Sequence, residues 1–256
     1  MLESVPFPTQ AILWPLLGAA LILVARRFLP NWLRRVVALV VALASLTALR
    51  SLIGEAAPLA LGTVERMEIL WEPLNLFRLS PTLEPDGLSL LVGITLAGTT
   101  AATVLGIRGS EPQRTAWHGL ALVALAGCLV MSMASDLLSL AMGSALLDLS
   151  LMAAAVSAPG ASGRVAWRMV VPGAFSTMLI VVSALQLDTQ LGTASLQAEN
   201  IAVLPLVLVG TAGIQRLLIY PLHPRGLHTP ENGILLLLSA NAGLYLVLRT
   251  QSVTPV

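Results

Sequence analysis

Three groups of residues in this 256-residue chain combine types and spacing that could do chemistry, and all three lie in or beside apolar sequence. The first is Asp148, in the middle of LLSLAMGSALLDLSLMAAAVS (137–157). A carboxylate at membrane depth is costly unless it is protonated, paired or hydrated, so by default it reads as an ion-pathway residue. A protonated or serine-bonded aspartate that only ties helices together fits the same pattern. The second is Arg216, in TAGIQRLLIYPLH (211–223). Its guanidinium is always charged. It must therefore pair with an acid, for which Asp148 is the candidate, or lie at the interface where a helix ends near 214. The third is PLHPRGLHTPENG (221–233). Pro221, Pro224 and Pro230 fall within ten residues and interrupt a helix. Broken backbone at membrane depth is tolerated where it lines a cavity or is buried in protein. Histidine is the side chain whose ordinary pKa allows a charge change near neutral pH, so His223 and His228, with Glu231, could carry protons or cations. The same residues also suit an ordinary cytoplasmic loop. Two histidines five apart in such a loop make a weak metal pattern, so no metal site is expected. His118 stands beside Trp117 at a helix start, where an interfacial role suffices.

Composition sets the medium in which these groups work. The chain is 56% hydrophobic and 11% charged, with a mean hydropathy of +0.86, against roughly 25% charged in a soluble domain. A water-soluble globule is excluded. A net charge of +1 argues against a nucleic-acid partner. All 14 basic residues are arginine, so no lysine is present to gain and lose a proton. The single cysteine, Cys128, lies in an apolar run and supports neither a disulfide framework nor a multi-cysteine metal site. The first ten residues contain Glu3 and no arginine, unlike a signal-peptide start, so the first apolar segment is expected to remain as a helix. There is no phosphate-binding glycine loop and no nucleophile elbow. The chain is not expected to be catalytic alone or to hold a cofactor.

The elements that must position these groups follow from hydropathy, since a spanning helix needs about 20 mostly apolar residues. Eight segments qualify, at about 9–25, 36–53, 87–107, 117–135, 137–157, 167–186, 201–220 and 232–248. Charge in the connections alternates. Arg26, Arg27, Arg34 and Arg35 follow the first segment, Arg108 and Arg114 the third, Arg164 and Arg168 the fifth, and Arg225 the seventh. The 54–86 and 187–200 loops are acidic or neutral on balance. The positive-inside rule then places both termini outside. In the long 54–86 loop, Met67, Ile69 and Leu70 suit a short hairpin on the outer face, with Trp71 at the interface. The whole chain reads as one membrane domain: three helices and the outer loop over 1–107, and five helices over 108–256.

Four stretches resemble the antiporter-like subunits shared by respiratory complex I, Mrp-type sodium/proton antiporters, membrane-bound hydrogenases and some inorganic-carbon uptake complexes. LEPDGLSLLVG (83–93) resembles that family's Asp-Gly-Leu-Ser opening of the third helix, which makes Asp86 and Gly87 structural. SDLLSLAMGS (135–144) is similar to the lead into the fifth helix. QRLLIYPLH (215–223) resembles Lys-Ser-Ala-Gln-x-Pro-Leu-His. HTPENGILLLLSANAGLYLVLR (228–249) is similar to the Pro-Thr-Pro segment and the eighth helix; together these last two stretches give Pro221 and Pro230 structural roles.

The resemblance implies an all-α integral membrane fold of about eight transmembrane helices. It corresponds to the first-repeat portion of an antiporter-like subunit, with a broken seventh helix. The family moves cations along a buried polar axis that includes a glutamate on the fifth helix, a lysine on the seventh and often a histidine on the eighth. Here Ala145 falls on the glutamate, with Asp148 three residues on. Arg216 falls on the lysine and Leu235 on the histidine. These departures lead to the expectation of a degenerate proton-channel subunit, structural or half-channel, in the membrane arm of a larger ion-translocating complex. Its partners would be other integral membrane subunits and the lipid bilayer of a bacterial-type inner membrane. Two alternatives are an active proton or cation transporter component using Asp148 and His223, and an assembly or scaffold protein without transport.

Overall fold

The computed structural model describes residues 7–55, 67–68, 82–106, 116–157, 163–191, 203–219 and 230–251. Among the described residues lie eight helices: α1 (Phe7–Val24), α2 (Asn31–Glu55), α3 (Gly87–Gly106), α4 (Trp117–Met133), α5 (Leu137–Ser157), α6 (Gly163–Leu191), α7 (Val203–Ile219) and α8 (Pro230–Gln251). Four contain stretches long and apolar enough to cross a membrane (Asn31–Ile53, Gly87–Gly106, Leu137–Ser157 and Val170–Leu191), and the other four carry shorter apolar stretches. The protein is a multi-pass membrane protein of the all-α class, its described membrane-spanning elements all helices. Large apolar side chains such as Leu17, Leu91, Phe175 and Met178 are exposed on the outside of the bundle, where lipid is the solvent.

Two of the helices, α3 and α5, start where the sequence supplies caps. Asp86 accepts the Ser89 backbone N–H at 2.7 Å, while the Ser89 hydroxyl receives the Asp86 N–H at 2.5 Å. This reciprocal exchange satisfies orphan donors at the start of α3, as a capping box does. Asp136 repeats the arrangement ahead of α5, accepting from Ser139 N–H at 2.8 Å and from its hydroxyl at 2.7 Å. At the other end of α3 the carbonyls have no helical partner. Arg35, on α2, donates Nε to Val104 O at 2.9 Å and Nη2 to Leu105 O.

Two short strands, β1 (Met67–Glu68) and β2 (Thr82–Leu83), pair antiparallel, with Met67 opposite Leu83 and Glu68 opposite Thr82. An antiparallel strand pair is therefore present within the 54–86 segment, where the short hairpin was expected; Ile69, Leu70 and Trp71 lie outside the described residues. Leu83 bridges to Ala134, and Glu84 N–H donates to Met133 O at 2.7 Å, which ties β2 to the end of α4.

α4 is the hub. It packs against α1, α2, α3, α5 and α8 and buries residues on all sides, from Trp117 to Met133. Its crossing with α5 is close because Gly127 and Gly143 face each other. A Cβ on either would stand 2.7–2.8 Å from the other's carbonyl oxygen. Each helix from α4 to α8 touches the next, and α8 returns to α4, closing a ring of five.

Candidate functional site

Inside that ring the sequence sets one cation against one carboxylate. Arg216 lies three residues before the end of α7 and is completely buried. The helix continues past it to Ile219, so the alternative of a helix ending near 214 with an interfacial arginine does not hold. Asp148, on α5, is 12% exposed. The two side chains meet as an ion pair: Nη2 donates to Oδ2 at 2.9 Å, and the Nη1 charge lies 2.9 Å from Oδ1, which accepts no hydrogen bond among the described residues. A charge-assisted hydrogen bond of this kind is stronger than one between neutral groups.

Hydroxyls from three helices complete the site. Nη2 also donates to Ser144 Oγ on α5 and, at 3.1 Å, to Thr177 Oγ1 on α6. Ser239 Oγ on α8 stands 3.5 Å from Nη1. Thr177 in turn donates to Asp148 Oδ2 at 2.5 Å and lies 2.5 Å from Ser144 Oγ. Arginine offers donors only, so both hydroxyls turn their lone pairs to it. The Thr177 proton then points to the carboxylate. Arg216 Nε has no hydrogen-bond partner among the described residues. Cys128 borders the site from α4, its thiol 3.6 Å from Leu238 O.

Backbone proximity makes the arrangement possible. Gly213 and Gly243 face each other where α7 crosses α8, each with its potential Cβ 2.6–2.8 Å from the other's carbonyl oxygen. The same absent Cβ on Gly243 leaves room for Arg216 Cβ. Ser176 and Ser183 of α6 donate to Ala212 O at 3.0 Å and Pro205 O at 2.9 Å, which fixes α6 against α7.

Other residues singled out in the sequence fall elsewhere. Ala145 is exposed on the outer face of α5, whereas Asp148, three residues on, is turned about 60° into the α5–α6 seam. Leu235 is buried and apolar. Pro221, His223 and His228 lie outside the described residues. Pro230 opens α8, with Glu231 following in its first turn. α7 ends ahead of Pro221, and helix is next described at Pro230. His118 contacts Trp117 edge-on, ring centroids 5.1 Å apart, and both its ring nitrogens are buried without a hydrogen-bond partner among the described residues. Ser144, Thr177 and Ser239 had no sequence signal beyond Ser144 standing four residues before Asp148, one turn away on the same face.

A second ion pair sits at the rim. Arg249, in the last turn of α8, contacts Asp86 at the start of α3. Burial alone would raise the Asp86 carboxyl. The Ser89 hydrogen bonds and the Arg249 charge outweigh it and hold the group below its ordinary value.

Fold and site define a class: a multi-pass helical membrane protein with an arginine–carboxylate pair enclosed by a ring of five helices. No family model and no curated protein matches the chain. Solved structures do. A chain of the membrane-bound sulfane sulfur reductase, an archaeal respiratory membrane complex, matches at TM-score 0.63 and 18% identity, over 84% of this chain and 34% of that one. A chain of respiratory complex I from Thermus thermophilus, solved with bound aureothin, matches at TM-score 0.65 and 16% identity, over 93% of this chain and 52% of that one. The chain shares the fold of complex I-like membrane subunits and spans about a third to a half of the length of these relatives.

Proposed function

We propose that this chain is a membrane-arm subunit of a multisubunit, complex I-like ion-translocating assembly, and that Arg216 and Asp148 act in it as a fixed ion pair rather than as a proton relay. The observation that carries this reading is the chemistry of the buried cation. A buried lysine can release its proton because desolvation lowers its pKa; an arginine does not. Arg216 is fully buried, paired with Asp148 and further held by Ser144 and Thr177. A cation so held keeps its charge through any cycle. It can fix helix packing and set the local field for ions moving beside it, the half-channel role, but it cannot hand a proton on.

The shared fold with chains of two respiratory membrane complexes supports membrane neighbours as partners. The alternating arginines support a bacterial-type cytoplasmic membrane with the N-terminus outside. The test is purification of the tagged chain from its native membrane in mild detergent, with identification of co-purifying chains. Recovery of a stable set of membrane and redox subunits is expected. A chain that migrates alone in every mild detergent overturns the reading.

A further inference from the structure

Asp148 faces α6 at a place where that helix has no side chain. A Cβ on Gly173 would collide with Asp148 Oδ1 and stand 3.0 Å from its Cγ. Four residues on, one turn along the same face, Thr177 supplies the hydroxyl that donates to Oδ2 at 2.5 Å. α6 thus offers a hollow and a donor to one carboxylate. α8 treats the cation alike: Ser239 lies near Nη1, and Gly243, four residues on, leaves room for Arg216 Cβ. Each member of the pair is received by a glycine and a hydroxyl spaced four apart on the neighbouring helix.

We infer that Gly173 is a positioning residue for the ion pair: its missing side chain is the seat that holds the Asp148 carboxylate in register with Arg216. This deepens the fixed-pair reading and rests on it. The contrast with Gly98 on α3 is direct, since a Cβ there would meet nothing within 4 Å. The carboxylate cannot yield easily at Gly173. Oδ2 is held by Nη2 and Thr177, and Oδ1 stands 2.9 Å from the Nη1 charge. Moving the carboxylate off the glycine pulls Oδ2 from both donors.

The test is a thermal-unfolding cycle on the full chain in detergent, with Gly173→Ala made in two backgrounds. One is the wild type. The other is Asp148→Ala/Arg216→Leu, which removes both charges together and leaves neither unpaired. In the wild type Gly173→Ala is expected to lower Tm by about 5 °C. In the pair-deleted background it is expected to cause no loss of Tm, leaving only the small gain that alanine brings to a helix interior. Gly98→Ala should show that same small gain in both. Infrared spectra of chains carrying 13C-labelled aspartate, with Asp148→Asn subtracted, give a readout that mere helix packing does not move. The Asp148 carboxylate band should shift in Gly173→Ala. If the single variant does not accumulate, recovery of the triple variant supports the inference, and loss of both overturns it. Equal Tm losses in the two backgrounds, or an unmoved carboxylate band, also overturn it. Because these readouts need no partner subunit, they succeed or fail independently of co-purification.

Discussion

Arg216 and Asp148 each depend on the other being present. A buried charge left alone costs several kcal/mol, whereas removing both charges together is often neutral or stabilising. With Arg216 fully buried and Asp148 nearly so, Arg216→Leu is expected to destabilise the chain by about 3–5 kcal/mol. Asp148→Ala/Arg216→Leu should recover most of that loss. Unfolding in detergent measures both. A double variant as unstable as the single one would mean that the surrounding hydroxyls, not the pair, hold the helices together. The identities of the two charged residues were legible in the sequence, because an acid and an arginine stand out in apolar runs. Their contact was not, since 68 positions separate them and only the ring of helices closes that distance. Gly173 was less legible still. A glycine in a helix acquires meaning from what faces it, and one sequence does not carry that information.

At the scale of elements, hydropathy located all eight helices but misjudged their ends. α2 begins at Asn31 rather than 36, and α6 runs over Gly163–Leu191 rather than 167–186. Hydropathy falls at Arg34, Arg35 and Asp188, but the backbone stays helical through them. Arg34 and Arg35 find carbonyls to bond, at Leu29 O and Val104 O. The opening of α3 was the more readable end, because the resemblance of 83–93 placed Asp86 there, and the structure shows what it does: it caps the helix. Its carboxyl lies below the ordinary value in the folded chain. A depressed carboxyl stabilises above its unfolded pKa, and that contribution fades as pH falls through the folded one. The Tm difference between wild type and Asp86→Asn should therefore be flat from pH 7 to about 5 and shrink only below about 4. It should also be small, because the Asp86–Arg249 pair is partly exposed. A difference that disappears between pH 7 and 6 would show that Asp86 is not held ionised by Ser89 and Arg249.

At the scale of the whole molecule, contacts between distant residues test the topology that the arginines imply. Asp86 precedes α3 and Arg249 ends α8, with six helices from the start of one to the end of the other, so an even number of crossings must return the chain to the same face. Their contact satisfies that condition. Glu84 bonding to Met133 satisfies it for the start of α3 and the end of α4. Arg35 bonding to Val104 and Leu105 satisfies it for the opposite face, joining the start of α2 to the end of α3. These contacts fix which ends share a face; the positive-inside rule decides which face is outside. Five helices separate Arg27 from Gln190, so five crossings place the two on opposite sides, and the charge rule predicts Arg27 inside and Gln190 outside. Both are exposed, and the native Cys128 is buried, so cysteines introduced there report orientation without removal of the native thiol. A membrane-impermeant maleimide should label Gln190→Cys in intact cells and label Arg27→Cys only after permeabilisation. The wild-type chain should stay unlabelled until it is denatured. Labelling of both sites in intact cells would break the even-crossing topology. Labelling of Arg27→Cys alone would keep the crossings and invert the chain, which would place the arginine-rich turns outside against the charge rule.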